Sequence, residues 1–206
     1  KAGKTHQIVD DISIARAMPG MIVISPADEV EARGVLAWAV DYDGPVFIRF
    51  VRDDTQTLFE PGHRFQFGKV KVVREGSDIT LISTGTETPR VMDAADILAE
   101  SGVDAHVVHV PTIKPLDVGG VVAAAEKTGR VVTVEEHTVI GGLGGAVAET
   151  LAEHRPTRVD RIGIQDHYTE SATDDELLDM YCLSAERVAQ RVSKLLASAG
   201  PVTHCD

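Results

Sequence analysis

Ile79-Thr80-Leu81-Ile82-Ser83 runs directly into Thr84-Gly85-Thr86-Glu87, then into a helical stretch over residues 91–101 and a second apolar run over residues 105–110. A continuous apolar run that ends in small polar residues is the pattern of a strand buried on both faces. The helix between two such runs supplies the crossover that parallel neighbours need. The alternation continues with a helix over 118–127, a strand over 130–134, a helix after Gly145, a strand over 159–164 and closing helices over 174–180 and 185–197. It predicts an α/β fold built on a doubly wound, mostly parallel sheet.

Upstream the same alternation appears in shorter form. A helix over residues 8–18 stops at Pro19-Gly20, and Met21-Ile22-Val23-Ile24 follows as a buried-type strand. Ser25-Pro26-Ala27-Asp28 opens a second helix, which stops at Asp43-Gly44-Pro45 before a strand over 46–50. From Arg52 to Gly68 the pattern dissolves into acidic, Pro-containing and Gly-containing sequence with Phe59, Phe65 and Phe67 as its only large apolar anchors. That stretch exceeds the usual connection of about 4–6 residues and reads as a passage between domains. The chain therefore divides into residues 1–67 and residues 68–206.

Composition narrows the function. The 206 residues are 43% hydrophobic but only 4% aromatic, and the formal net charge is −12. That charge opposes nucleic-acid phosphates and anionic membrane surfaces alike, so neither is an expected partner. Cys182 and Cys205 make neither a disulfide framework nor a metal-ligand spacing, which points to a reducing, cytoplasmic compartment. No apolar run reaches the roughly 20 residues that span a bilayer.

Several motifs carry chemistry. Gly3-Lys4-Thr5-His6-Gln7 has the residue types of a loop facing a ligand, but the earlier glycine of a phosphate loop is not there to support that reading. Thr133-Val134-Glu135-Glu136-His137 followed by Gly141-Gly142-Leu143-Gly144-Gly145 reads as strand, acidic tip, glycine turn and helix. It departs from the dinucleotide fingerprint at Val147, and tight packing accounts for its glycines better than ligand binding. Arg52 ends a buried-type strand at the carboxyl edge used for ligands in open α/β sheets, and a guanidinium there suits a phosphate or carboxylate. Arg49 alternates with Phe50 and is read as facing the opposite side of its strand. His106 and His109 have opposite strand parity, so no zinc site is expected, and no Gly-x-Ser-x-Gly hydrolase elbow occurs.

Taken in order, Gly3-x-Thr5-His6-Gln7, Asp10-Asp11-Ile12, Arg16-Ala17-x-Pro19, Ser25-Pro26-Ala27-Asp28-Glu29-x-Glu31-Ala32, Gly44-Pro45-Val46-x-Ile48-Arg49 and Arg52 resemble the second half of a transketolase-type pyrimidine-binding domain. Asp78-Ile79-Thr80-Leu81-Ile82-x-Thr84-Gly85, Pro111-Thr112-Ile113-Lys114-Pro115-Leu116-Asp117, Glu135-Glu136-His137 with Gly141-Gly142-Leu143-Gly144, and Glu170-Ser171-Ala172 resemble the transketolase C-terminal domain. The resemblance is to the C-terminal subunit of split bacterial and archaeal transketolases, with deoxyxylulose-phosphate synthase as a near relative. It implies a partial pyrimidine-binding domain followed by the doubly wound C-terminal domain.

The same resemblance implies transfer of a two-carbon ketol unit between sugar phosphates, with thiamine diphosphate and Mg²⁺ bound mainly by parts outside this chain. His6 would line the substrate channel and move protons, and Arg52 would bind the sugar phosphate. Ala2 and Lys4 depart from the family's Asp-Gly-Pro-Thr-His pattern. The family's catalytic glutamate would precede Lys1, so the chain alone is expected to be inactive, completed by an N-terminal subunit or domain and dimerising through these domains. The alternatives are a non-catalytic dimerisation or regulatory module of the same fold, and a fragment of a deoxyxylulose-phosphate synthase-like enzyme.

Overall fold

The computed structural model describes residues 7–51 and 55–198. The first segment holds α1 (Asp11–Ala17), β1 (Ile22–Ile24), α2 (Glu29–Val40) and β2 (Val46–Ile48). The second holds β3 (Lys71–Arg74), β4 (Ile79–Ser83), α3 (Glu87–Glu100), β5 (Ala105–His109), β6 (Thr112–Lys114), α4 (Val118–Thr128), β7 (Val131–Thr138), α5 (Leu143–His154), β8 (Val159–Ile164), α6 (Asp174–Met180) and α7 (Ala185–Ala197). Five strands form the large sheet in the order β3-β5-β4-β7-β8, parallel except for β3.

Alternation along β4 shows why this sheet is covered on both sides. Ile79 and Leu81 pack with Val91 and Leu98 of α3 and Val188 and Val192 of α7. Ile82 points the other way, toward Val121 of α4 and Val147 and Leu151 of α5. Both faces of a parallel sheet are thus removed from water, and the fold is the doubly wound α/β arrangement that the alternation predicts.

The small sheet has the order β2-β1-β6, with β1 parallel to β2 and antiparallel to β6. Strand β6 has no counterpart in the sequence reading. Thr112-Ile113-Lys114 is too short, between Pro111 and Pro115, to show a period. Its pairing with β1 ties the second segment into the sheet of the first.

The stretch before residue 68 is pinned rather than loose. Asp28 caps α2 by accepting the Glu31 N–H at 2.8 Å, and its other oxygen accepts Leu58 N–H and Phe59 N–H at 2.7 Å each. Phe67 stacks on Trp38 with ring centroids 4.3 Å apart, and Phe65 meets the same ring edge-on. These contacts lay the connection along α2.

Three expectations change. Strand β7 extends to Thr138 instead of stopping at residue 134, and α5 begins at Leu143, because Glu135 and His137 find buried partners. Helix α3 begins at Glu87 instead of residue 91; Pro89 fits its first turn, where no intrahelical N–H bond is lost. Cys182 is buried and disulfide-bonded, against the expectation of no disulfide and against the reducing compartment inferred from it; Cys205 lies outside the described residues.

Gly76 marks the tightest backbone approach in the large sheet: a Cβ there would meet the main chain of Ala105 and His106, which cannot swing aside. Replacing Gly76 by Ala is expected to cost about 1–3 kcal/mol and to lower the melting temperature by about 3 °C or more. Thermal unfolding followed by circular dichroism measures it, and an unchanged midpoint contradicts the close approach.

Candidate functional site

The carboxyl ends of β2, β7 and β8 converge on a cavity of about 510 Å³, walled by the Gln7–Val9 arm, the Arg49–Val51 arm, Glu136 and α6. His6 and Arg52 lie outside the described residues, as does the whole Gly3-Lys4-Thr5 stretch. Gln7 and Val51, next to His6 and Arg52 in sequence, line this cavity.

Both arms are held by buried polar contacts. Arg49 Nε donates to Asp11 Oδ2 at 3.1 Å, so Arg49 turns toward α1 with its side chain largely buried, while Phe50 is exposed. Val9 accepts the Thr138 N–H at 2.7 Å, and Thr169 Oγ1 donates to the Gln7 side chain at 2.6 Å. Arg16 reaches across to the carbonyl oxygens of Gly141 and Gly142 and pairs with Glu149 at 2.8 Å. The N-terminal arm is therefore fastened to the second segment at several points.

The glycine-rich turn is built for packing. Glu135 is fully buried and accepts Leu143 N–H at 2.6 Å and Gly144 N–H at 2.8 Å, occupying the N-terminus of α5. A Cβ on Gly142 would collide with this carboxylate and with His137. Burial lifts Glu135 to about 7, although the two N–H groups, Arg161 and Arg16 favour the ionised form. Burial likewise lowers His137, with Arg49 adding to the effect and the contacts to Thr138 and Asp11 opposing it.

On the far wall, Arg90 sits among three carboxylates, 2.7 Å from Glu87, 3.0 Å from Glu136 and 3.8 Å from Asp174. Burial raises Glu87 to about 8 despite Arg90, and its second oxygen has no hydrogen-bond partner among the described residues. Between the two segments, Glu31 of α2 meets His109 of β5 at 2.8 Å, His109 meets Thr88 at 2.7 Å, and Ser83 donates to Thr88 at 3.0 Å. Burial works against the Glu31 charge, but His109, the Ala27 N–H and His63 outweigh it and hold this carboxyl below its usual range. His106 goes elsewhere, 3.5 Å from Glu75.

Asp11, Arg49 and His137 are the residues of this site that the motif reading did not bring together. Glu135-Glu136-His137 was visible as an acidic tip, but which partner it would meet depends on the docking of a helix 124 positions away in sequence.

Residues 1–57 match the transketolase pyrimidine binding domain, and residues 68–188 match the transketolase C-terminal domain. The chain belongs to the transketolase family. It is 42% identical, over 92% of its length, to 60% of a Methanocaldococcus jannaschii protein described provisionally as a transketolase C-terminal section. It is 38% identical, over 91% of its length, to 58% of a 6-deoxy-6-sulfo-D-fructose transketolase subunit from Clostridium sp.. A solved split-gene transketolase, an inactive β4 tetramer, superposes with a TM-score of 0.90 at 39% identity, over 95% of this chain and 64% of that one. The chain thus spans about 60% of the length of these two curated relatives, and about 30% of the 1-deoxy-D-xylulose-5-phosphate synthase from Symbiobacterium thermophilum, to which it is 39% identical over 94% of its own length. No helix among the described residues is long and apolar enough to cross a membrane.

The Glu87 proton gives a stability signature. In the unfolded chain this carboxyl titrates near 4.5 and in the folded protein near 8, so its stabilising contribution is complete below about 4.5 and is lost as pH rises through about 8. Urea unfolding at pH 5, 7 and 8.5 is expected to show Glu87→Gln losing less stability than the parent across this window, by up to a few kcal/mol. Parallel pH profiles for the two proteins contradict a buried protonated Glu87.

Proposed function

We propose that this chain is the C-terminal part of a thiamine diphosphate-dependent transketolase, with residues 1–67 and 68–206 as its two units. It transfers a two-carbon ketol unit between sugar phosphates when joined by an N-terminal subunit or domain. The observation that carries this reading is that both family matches occur in order on one chain, whose two arms meet at a single cavity.

The described residues do not suit the diphosphate and its Mg²⁺. Asp11, Glu136 and Asp174 line the cavity, the first paired with Arg49 and the other two with Arg90, so the guanidinium groups here are already engaged by carboxylates and not set to receive a diphosphate. Among the described residues no group of three or more His, Cys, Asp or Glu is placed to hold a metal ion. We therefore assign the diphosphate and Mg²⁺ to the N-terminal partner. The cofactor supplies the carbon chemistry; this chain supplies position, charge and proton handling. His6 takes and returns protons on the transferred sugar, a role suited to a group that titrates near neutrality. Arg52 receives the sugar phosphate through its guanidinium fork. In the active assembly two copies associate through these domains.

The test uses the full-length protein with its partner subunit, thiamine diphosphate and Mg²⁺, assayed with a ketose phosphate donor and an aldose phosphate acceptor. His6→Ala is expected to lower kcat by about a hundredfold. Arg52→Ala is expected to raise the KM for the phosphorylated donor by about tenfold with a smaller change in kcat. Unchanged kinetics in both variants refutes the assigned roles, and a complete assembly without ketol transfer favours the non-catalytic module.

A further inference from the structure

His137 is wholly buried at the end of β7, yet it faces the first segment rather than its own core. Its Nδ1 lies 2.7 Å from the Thr138 carbonyl, so Nδ1 carries the proton and Nε2 is left as an acceptor. Nε2 takes the Ser13 N–H at 3.4 Å, in the first turn of α1. The same Nε2 stands 3.7 Å from Asp11 Oδ1, a buried oxygen without a hydrogen-bond partner among the described residues. Asp11 Oδ2 holds Arg49, and Arg49, Phe50 and Val51 form one wall of the cavity. One residue further, Thr138 N–H fastens Val9 of the opposite wall.

We infer that His137 is a positioning residue for ketol transfer: the C-terminal domain, through His137 and the Asp11–Arg49 pair, sets the spacing of the two arms that line the cavity. This rests on the transketolase reading for its catalytic consequence, but the mechanical link stands on the contacts alone. The chain of contacts passes from β7 to α1, from α1 to the end of β2, and from there to the cavity wall. Burial matters here, because a polar link shielded from water has no solvent partner to replace a lost contact, so its loss is transmitted as movement.

The experiment compares the full-length protein, assembled with its partner subunit, with its His137→Leu, His137→Gln and Asp11→Asn variants. Leu fills the site without an acceptor, and Gln restores one at the position of Nε2. Asp11→Asn keeps the shape while weakening the hold on Arg49, and reads the link even where His137→Leu fails to fold. Amide hydrogen exchange is expected to quicken about tenfold in residues 9–14 and 46–51 for His137→Leu, in 46–51 for Asp11→Asn, and to return toward the parent rate for His137→Gln.

In steady-state assays the KM for a ketose phosphate donor is expected to rise about tenfold in His137→Leu and Asp11→Asn, with kcat within about threefold of the parent. A merely structural defect would instead speed exchange throughout β7 and β8 and lower kcat through loss of folded enzyme. Unchanged exchange in the arms overturns the link. Altered exchange with unchanged KM overturns the positioning role. A parent assembly with no ketol transfer overturns the functional reading, and with it the catalytic consequence, while exchange still decides the link.

Discussion

Strand β7 continues past the residue where its apolar character ends, and the rest of the molecule hangs on that continuation. Glu135 turns inward to close the N-terminus of α5, while His137 and Thr138 grip α1 and the arm before it. Burying a carboxylate costs several kcal/mol unless strong donors meet it. Here two backbone N–H groups at a helix N-terminus offset part of that cost, and the glycines at 142 and 144 let that helix come close enough. One short segment thus ends a strand, starts a helix and docks a domain.

The acidic character of the chain is handled in two different ways inside the fold. Glu31 stays ionised because His109, His63 and the Ala27 N–H converge on it. Glu87 and Glu135 are pushed toward the protonated form because burial exceeds what their donors return. The first arrangement ties α2 to β5 across the two segments, and the second keeps charge out of the sheet beside the cavity. The Glu31 arrangement puts polar groups at the seam between segments, where geometry must be specific and apolar packing alone would allow sliding. The small sheet adds backbone pairing to that seam through β6.

Much of this was legible from particular residues. Ile79 to Ser83 reads correctly to the residue as β4, and α6, α7 and β8 begin and end where periodicity put them. The failures share a cause. Strand β6 is stabilised by pairing with β1, not by its own pattern, and the tail of β7 is polar because its partners are polar. Arg49 lies just past the end of β2, and its partner Asp11 sits 38 positions earlier on α1, so no local pattern announces the pair. His6 and Arg52, which the family resemblance marks for chemistry, lie outside the described residues.

By itself the sequence determined the α/β class, the strand and helix order, the turn chemistry and the membership of a family, because local periodicity and ordered motifs are written into neighbouring positions. Tertiary structure alone decided that Asp11 would meet Arg49 and His137, that Arg16 would reach the Gly141–Gly142 turn, and that a cavity would open between two arms some 40 positions apart. The physical reason is that a buried polar group takes whichever partner the docking of distant elements brings within hydrogen-bond reach.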